Sequence, residues 1–521
     1  MDNHHSKRKR EDQYDEATTH NGVDLSLLES LEQSSSASAE PLDLRAAKKL
    51  VISFERRLRE NLEARMKHPD RPDRFADSEV ALHEELDRLR TLAGAPELYP
   101  DLISLNLFPP LVGLLSHDNS DIATDTVSLL SDLTDADEDL DDPAPAIALA
   151  DCLVENNTLE LLVQNLTRLS ESDTDEANAV HSTLAVIENL IELKPAVAEM
   201  VCERTKLLRW LLGRIKTREF DANKQYASEM LAILLQNSVS NQKRFGQING
   251  VDGILQAVSF YKSRDPKSSD EEEMLENLFD CLCCLLMPVE NKEKFMKSEG
   301  VELMIIIMKQ KKTAYGSAIR ALDFAMTKYP PACERFVDVL GLKTVFSAFM
   351  GKLPIGKKNK ESYQEELEER LISLIASLFG GVTRGSRRDR LLSKFVENEC
   401  EKIDRLMEFY IRYSDRVKAE TERFNKLELD DLEMDEDEQY IRKLEAGLYT
   451  LQLIAVILGH IWTSEHPKIK ARIELLLKQN KLSKEDVKDV LQEYHDNIGD
   501  SDGPEEKERS QAQIQKFISA L

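Results

Sequence analysis

Asn241-Gln-Lys-Arg-Phe-Gly-Gln-Ile-Asn-Gly-Val251 closes one apolar-periodic segment and opens the next, and Asn291-Lys-Glu-Lys-Phe-Met-Lys-Ser-Glu-Gly-Val301 does the same again. In both, a Phe stands five residues before Gly-Val. A third copy, Cys333-Glu-Arg-Phe336, precedes Gly341-Leu342. Glycine tolerates positive φ, so the motif predicts a sharp helix-to-helix turn at each Gly, with the Phe capping the helix pair before it. The glycines fall 50 and then 41 residues apart (250 to 300 to 341). The longer interval contains the polar stretch 263–273, whose removal would equalise the two. Weaker copies begin at Leu107, Leu159 and Leu207.

Working outward from these turns, the apolar spacing is helical. Ile122, Thr126, Leu129, Leu130 and Leu133 share one helical face, as do Val180, Leu184, Ile187 and Ile191. Tyr226, Met230, Ile233 and Leu234, and then Met274, Leu278, Cys281, Leu282 and Leu285, repeat the pattern. Strand-like alternation between hairpin turns is missing. A period near 40–47 residues is that of armadillo or HEAT units, each of which would leave an apolar face wet unless stacked on its neighbours. The expected fold is all-α: an armadillo/HEAT-like right-handed superhelical solenoid with N-terminal capping helices and a helical C-terminal region. Residues 1–40 read as a disordered tail, 41–100 as capping helices, 101–390 as the repeats, and 391–521 as a C-terminal helical region containing an acidic linker. Within that last region 395–413 and 440–462 read as long helices, and 483–494 as a shorter one opened by Ser483 with Asp486 three residues on. It is read as capping the last repeat or as joining two copies in a homodimer.

Composition narrows the function. The 521 residues carry 96 Asp+Glu against 69 Lys+Arg, a formal net charge of -27. Charge of that sign repels nucleic-acid phosphate overall and favours basic protein segments as partners. The seven cysteines are an odd, scattered set embedded mostly in apolar runs, which argues for a reducing compartment. The longest apolar run, 447–462, is short for a membrane span and reads as a buried helix. The tail holds Lys7, Arg8, Lys9 and Arg10, four cations in a flexible setting that an import receptor can read as a nuclear-localisation signal. The chain opens with no secretory signal.

Enzymatic readings fail one by one. In Cys281-Leu-Cys-Cys284 adjacent thiols would point to different sides of a helix, as buried small residues and not as a metal site. Gly380-Gly-Val-Thr-Arg-Gly385 lacks a preceding strand and a following Gly-Lys-Ser/Thr, so it reads as a helix connection and not a phosphate loop. His117 and His181 have no ligand-spaced partner and read as packing or turn residues. No catalytic residue, metal or cofactor is expected.

Several ordered segments resemble the β-catenin-like family of nuclear armadillo proteins. They include His117-Asp-Asn-Ser-Asp121, Leu161-Leu-Val-Gln-Asn-Leu166, His181-Ser-Thr-Leu-Ala-Val-Ile-Glu-Asn189 and Phe220-Asp-Ala-Asn-Lys224. Glu276-Asn-Leu-Phe-Asp280, Phe336-Val-Asp-Val-Leu-Gly-Leu342, Glu401-Lys-Ile-Asp-Arg-Leu-Met407 and Asn497-Ile-Gly499 extend the likeness, which runs from about residue 41 to 500. The resemblance implies a non-catalytic scaffold of the spliceosome, in a Prp-nineteen-type complex. Its implied partners are splicing factors with basic nuclear-localisation segments, including the Myb-domain component of that complex. A catenin- or importin-like adaptor is the alternative. Importin-like proteins hold basic peptides on repeated Trp and Asn, whereas this chain has only Trp210, set among leucines, and Trp462.

The carboxylates that would meet such a peptide are first sought in Asp132, Asp135, Asp137, Glu138, Asp139, Asp141 and Asp142, and then in 430–438; each segment also reads as a solvated loop. A separate set of cations (Lys309, Lys311, Lys312; Lys357, Lys358, Lys360; Arg384, Arg387, Arg388, Arg390) would suit RNA phosphates inside an assembly. Aromatic residues are not interleaved with them, so direct sequence reading of RNA is not expected.

Overall fold

The computed structural model describes residues 42–135, 142–352, 361–428, 436–501 and 503–521, and among them every regular element is helical. Two helices, α1 (Leu44–Lys67) and α2 (Ala76–Leu89), precede six three-helix units. These are α3 (Tyr99–Ser104), α4 (Phe108–Gly113) and α5 (Ser120–Thr134); α6 (Ala144–Glu155), α7 (Thr158–Leu166) and α8 (Thr174–Leu193); and α9 (Val197–Arg204), α10 (Leu207–Ile215) and α11 (Ala222–Leu235). The next three are α12 (Val239–Gln247), α13 (Gly250–Ser259) and α14 (Ser269–Leu285); α15 (Val289–Lys297), α16 (Gly300–Gln310) and α17 (Tyr315–Met326); and α18 (Pro330–Asp338), α19 (Gly341–Phe349) and α20 (Glu361–Gly381). The chain closes with α21 (Gly385–Glu428), α22 (Glu436–Glu445), α23 (Leu448–Trp462), α24 (Pro467–Gln479), α25 (Lys484–Asp496) and α26 (Pro504–Ala520). One apolar core runs unbroken from Ala47 to Phe517, as stacking in an armadillo superhelix requires.

The motif that announces the repeat lies at the junction of first and second helices, and its glycines work differently from the sequence expectation. The residue with positive φ is the one before each Gly: Asn249 (+65°), Glu299 (+56°) and Leu340 (+64°). Gly250, Gly300 and Gly341 each begin the second helix, and what matters is the missing side chain. A Cβ there would sit 2.3, 2.4 and 2.5 Å from ring carbons of Phe245, Phe295 and Phe336 respectively. Each ring is fully buried. The Phe thus lies across the backbone of the next helix, and only glycine admits that approach. Leu107, Leu159 and Leu207 mark the equivalent junctions in the first three units, at the starts of α4, α7 and α10.

The first residue of the motif clamps successive units. Asn241 Nδ2 donates to the carbonyls of Leu234 (2.8 Å) and Ala198 (2.9 Å), closing the C-terminus of α11 and reaching back to α9. Asn291 donates to Gln242 O at 3.0 Å. Where Cys333 replaces Asn, its thiol contacts Met326 O, again seven residues back, at 3.4 Å. Third-helix carbonyls orphaned at a buried end therefore find partners in the next unit.

Three further expectations change. The polar stretch 263–273 is no simple insertion: Ser269 to Glu273 form the first turns of α14, capped by Ser268, and Asp265 accepts from Thr313 N (2.9 Å) and Lys312 Nζ (3.0 Å) to tie this loop to the next unit. Residues 440–462 are not one helix. Gly447, at φ +100°, separates α22 from α23 with a bend of 73°, while α23 itself is the buried helix expected. No helix among the described residues is long and apolar enough to cross a membrane. The helix expected at 395–413 is also interrupted, because α21 leaves helical geometry between Glu397 and Cys400. Ser483 and Asp486 form the expected capping box on α25.

A ladder of carboxylates on the third helices

The third helices α5, α8, α11, α14, α17 and α20 pack in series, each on the next. Their apolar stripes face the core, so the opposite stripes, again at intervals of three and four residues, form a continuous polar ladder. Contacts between its rungs fix the alignment. Asn189 on α8 donates to Thr134 Oγ1 on α5 at 3.2 Å, and the Tyr226 hydroxyl of α11 donates to Glu188 of α8. Asn277 on α14 donates to Ser228 Oγ on α11 at 3.4 Å. Ser317 on α17 donates to the Glu276 carboxylate at 3.2 Å, and Arg320 pairs with Asp280 at 2.7 Å. Ser373 on α20 donates to Asp323 of α17 at 2.6 Å.

Charge on this ladder is strongly one-sided. Carboxylates come from Asp121, Asp125 and Asp132 on α5, and from Asp175, Glu188 and Glu192 on α8. Glu229 on α11, Glu273, Glu276 and Asp280 on α14, and Glu366 and Glu369 on α20 continue the series. Its cations, Arg320 and Arg370, are engaged with Glu276, Asp280 and Asp323. Burial against the neighbouring rungs raises the pKa of Glu276, and the same cause raises that of Glu369. Those carboxylates stand in a partly desolvated environment, where a cation would be held more firmly than on an open surface. At the N-terminal end, α2, α5 and α8 wall a cavity of about 600 Å³ that Asp121, Asp125, Asp175 and Asn178 enter. There His83 Nδ1 meets Asp125 Oδ2 at 2.5 Å, a hydrogen bond that raises the imidazole pKa.

The residues singled out from the sequence are only partly here. Asp132 and Asp135 end α5; the Asp132 carboxylate pairs with Arg90, just beyond α2, so it serves the cap as well as the ladder. Asp142 accepts from Ala144 N at 2.9 Å at the start of α6. Asp137, Glu138, Asp139 and Asp141 lie outside the described residues, as do 430–435 and the basic Lys7, Arg8, Lys9 and Arg10. The carboxylates of α8, α11, α14 and α20 were missed. Their signal was present: they are the polar positions opposite the apolar stripes of the same helices.

His181 on α8 is exposed, yet its ring packs on that of Tyr226 on the ladder, with centroids 4.7 Å apart. His117 does pack at a turn, where Nδ1 accepts from Asn119 N at 3.1 Å and Nε2 lies 3.2 Å from Asn61 Oδ1. Trp210 sits on the second helix α10, off the ladder, partly buried against the core. Cys281 and Cys283 are buried, and burial pushes the Cys283 thiol up to about 12, so both stay protonated.

The long basic series divides. Lys357, Lys358 and Lys360 lie outside the described residues. Arg387 pairs with Asp338 (2.8 Å) and Glu334 (3.0 Å), and Lys312 with Asp265. Arg388 is turned inward onto the carbonyls of Phe379 (3.1 Å) and Val382 (3.2 Å), its pKa lowered by burial to about 10. Among the described residues of the series, Lys309, Lys311 and Arg390 line one cavity, while Lys312, Arg387 and Arg388 are engaged elsewhere.

Residues 25–492 match the family described as catenin-beta-like, Arm-motif containing nuclear. Beta-catenin-like protein 1 of Bos taurus is 41% identical over 91% of this chain and 85% of its own length, and that of Homo sapiens matches to the same extent. The homolog of Schizosaccharomyces pombe is 33% identical over 89% of this chain and 80% of its own. With the stacked three-helix units in place and the likeness running across nearly all of them, the chain belongs to the catenin-β-like family of Arm-motif-containing nuclear proteins.

Proposed function

We propose that this protein is a non-catalytic scaffold that works in the nucleus, within a Prp-nineteen-type spliceosomal complex, by holding Lys/Arg-rich nuclear-localisation segments of splicing factors. The Myb-domain component of that complex is the partner the family resemblance favours. The observation that carries the reading is the ladder: five of six successive third helices present carboxylates along one aligned stripe. Repeats set those carboxylates at regular intervals, which suits an extended peptide whose cations recur along its length. A single exposed pair contributes about 0–1 kcal/mol, so affinity grows from several rungs acting together.

The test is fluorescence anisotropy with a labelled Lys/Arg-rich peptide and a Gln-substituted control. Glu192→Gln, Glu229→Gln and Glu273→Gln, combined, remove one charge from each of three consecutive rungs, two of them exposed and that of Glu229 half-buried. Binding to the triple variant should weaken by roughly tenfold and lose part of its salt dependence. Unchanged affinity sinks the reading of the ladder. Affinity purification from nuclei, with and without the triple change, then tests the splicing assignment: adhesion or transport proteins in place of splicing factors would refute it.

A further inference from the structure

A second charged site lies away from the ladder, on the second helices. Lys309 and Lys311 at the end of α16, Lys343 on α19, Lys352 just beyond α19, and Arg390 and Lys394 on α21 converge on a cavity of about 670 Å³. Among the described residues no Asp or Glu lines it, in a chain of net charge -27. Repulsion among six cations is costly unless something negative is brought to them.

Their local bonds leave that charge available. Lys311 Nζ donates to Lys352 O (2.7 Å) and Arg390 to Val337 O (2.8 Å), carbonyl contacts that orient the groups without neutralising them. Lys394 pairs with Glu397 at 2.7 Å, and Lys352 acts on Glu401 at the rim. Among the described residues, Lys309 and Lys343 make neither an ion pair nor a side-chain hydrogen bond.

The rim supplies an independent observation. At the turn between first and second helices, the left-handed position is occupied by Asn106, Asn157, Asn249 and Glu299 in four other units. In the unit beside this cavity it is Leu340, at φ +64° and 65% exposed. Asn suits that conformation, whereas for a leucine it costs roughly 1–2 kcal/mol. An apolar side chain is thus held at some local cost, in water, at the mouth of a basic cavity. Backbone strain of this kind gathers where a ligand is clamped.

From the unpaired lysines and the strained leucine together, we infer that this cavity docks an acidic segment of a partner polypeptide, in which carboxylates or phosphates flank one apolar side chain. The lysines and Arg390 take the anions, and the exposed Leu340 takes the apolar group. RNA fits less well. The aromatic in the lining, Tyr315, is only 2% exposed, so no stacking platform faces the cavity, and RNA gives Leu340 no role.

The experiment uses the full chain and three fluorescein-labelled probes: a twelve-residue Glu/Asp peptide with a central Leu, the same peptide with phosphoserines replacing the acidic residues, and a twelve-nucleotide oligouridine. Two variants accompany the wild type, Lys309→Glu with Lys343→Glu, and Leu340→Asn. One or both peptides should bind, and whichever binds better tells carboxylate from phosphate recognition. The double reversal should weaken that binding by at least tenfold. Leu340→Asn should weaken it severalfold while leaving the thermal midpoint equal or higher, because Asn relieves the turn. That retained midpoint separates lost docking from lost folding. Equal peptide affinity in all three proteins overturns the inference. So does tighter binding of oligouridine with no effect of Leu340→Asn.

Discussion

The central repeats, α12 to α19, and the C-terminal region, α21 to α26, share one apolar core, but they are locked in different ways. In the repeats the same device recurs: a Phe ring lies on a glycine backbone, a left-handed residue precedes the glycine, and Asn or Cys clamps the unit before it. In the C-terminal region each lock is used once. Gly447 receives the Tyr413 ring, Gly459 receives Phe517, and Trp462 Nε1 donates to Ala520 O at 2.8 Å. His460 stacks on Phe379 with ring centroids 5.4 Å apart, and Phe517 meets it edge-on at 4.6 Å. Repetition spreads the same energetic problem over neighbours, whereas a terminal cap must solve it with contacts distant in sequence.

The largest effect is expected from removing one of the repeated locks. Phe295→Ala deletes a fully buried ring whose glycine partner offers no side chain to refill the space. Destabilisation of about 3–5 kcal/mol is expected, measured by urea unfolding. Gly447→Ala tests a single-use lock. Its φ of +100° disfavours any L side chain, and the new Cβ would stand 2.5 Å from a Tyr413 ring carbon. A cost of about 1–3 kcal/mol follows. If Gly447→Ala proved the more damaging, the C-terminal cap and not the repeat turn would be the weak point of the solenoid.

This contrast also explains what the sequence made legible. The Phe-to-Gly motif could be read because it occurs three times, and the apolar stripes because a buried helix face obeys a period. The role of its glycine could not, since a left-handed turn and a close ring contact both demand glycine, and only the angles at Asn249, Glu299 and Leu340 tell them apart. The bend at Gly447 was hidden for the opposite reason: it answers to Tyr413, 34 residues away (447 − 413), with no second copy to reveal it. For the binding surface, attention went to the densest acidic run, around Asp132 to Asp142. Charges at one rung per repeat are sparse along the chain and become a surface only when the helices stack. Ladder residues such as Glu229 and Glu273 were visible as polar positions, but nothing in one dimension aligned them.

The pH dependence should separate the two regions next. Burial, and then the Arg388 guanidinium beside it, depress the pKa of His460 from 6.5 to about 3. Both neighbours approach the ring as donors: Arg388 Nη2 lies 3.4 Å from Nδ1 and Gln513 Nε2 lies 3.3 Å from Nε2, an arrangement that offers a ring proton no acceptor. The neutral ring belongs to the folded state and the unfolded chain takes up the proton more readily. This contribution is therefore complete above about pH 6.5 and is lost as the pH falls toward 3. The expected slope is about 1.4 kcal/mol per pH unit inside that window. Carboxylates titrate in the same range, so the measurement is the difference between wild type and His460→Gln. Identical pH profiles would show that the ring is already accessible to water.

The smallest change gives the sharpest reading of how the two regions are coupled. In the capping box of α25, Ser483 N and Oγ both donate to Asp486 Oδ2, at 2.8 and 2.9 Å, and both bonds help to hold the Asp486 pKa low; Ser483→Ala removes the Oγ contact and keeps the backbone one. Ser483→Ala should cost about 1 kcal/mol, too little to unfold anything by itself. Hydrogen exchange then shows where that cost is felt. If α23 to α26 open as a unit of their own, Ser483→Ala accelerates exchange there and leaves α12 to α19 unchanged, while Phe295→Ala does the reverse. If each substitution accelerates both regions equally, the cap and the repeats form one cooperative body. The ladder would then depend on helices more than a hundred residues beyond its central rungs.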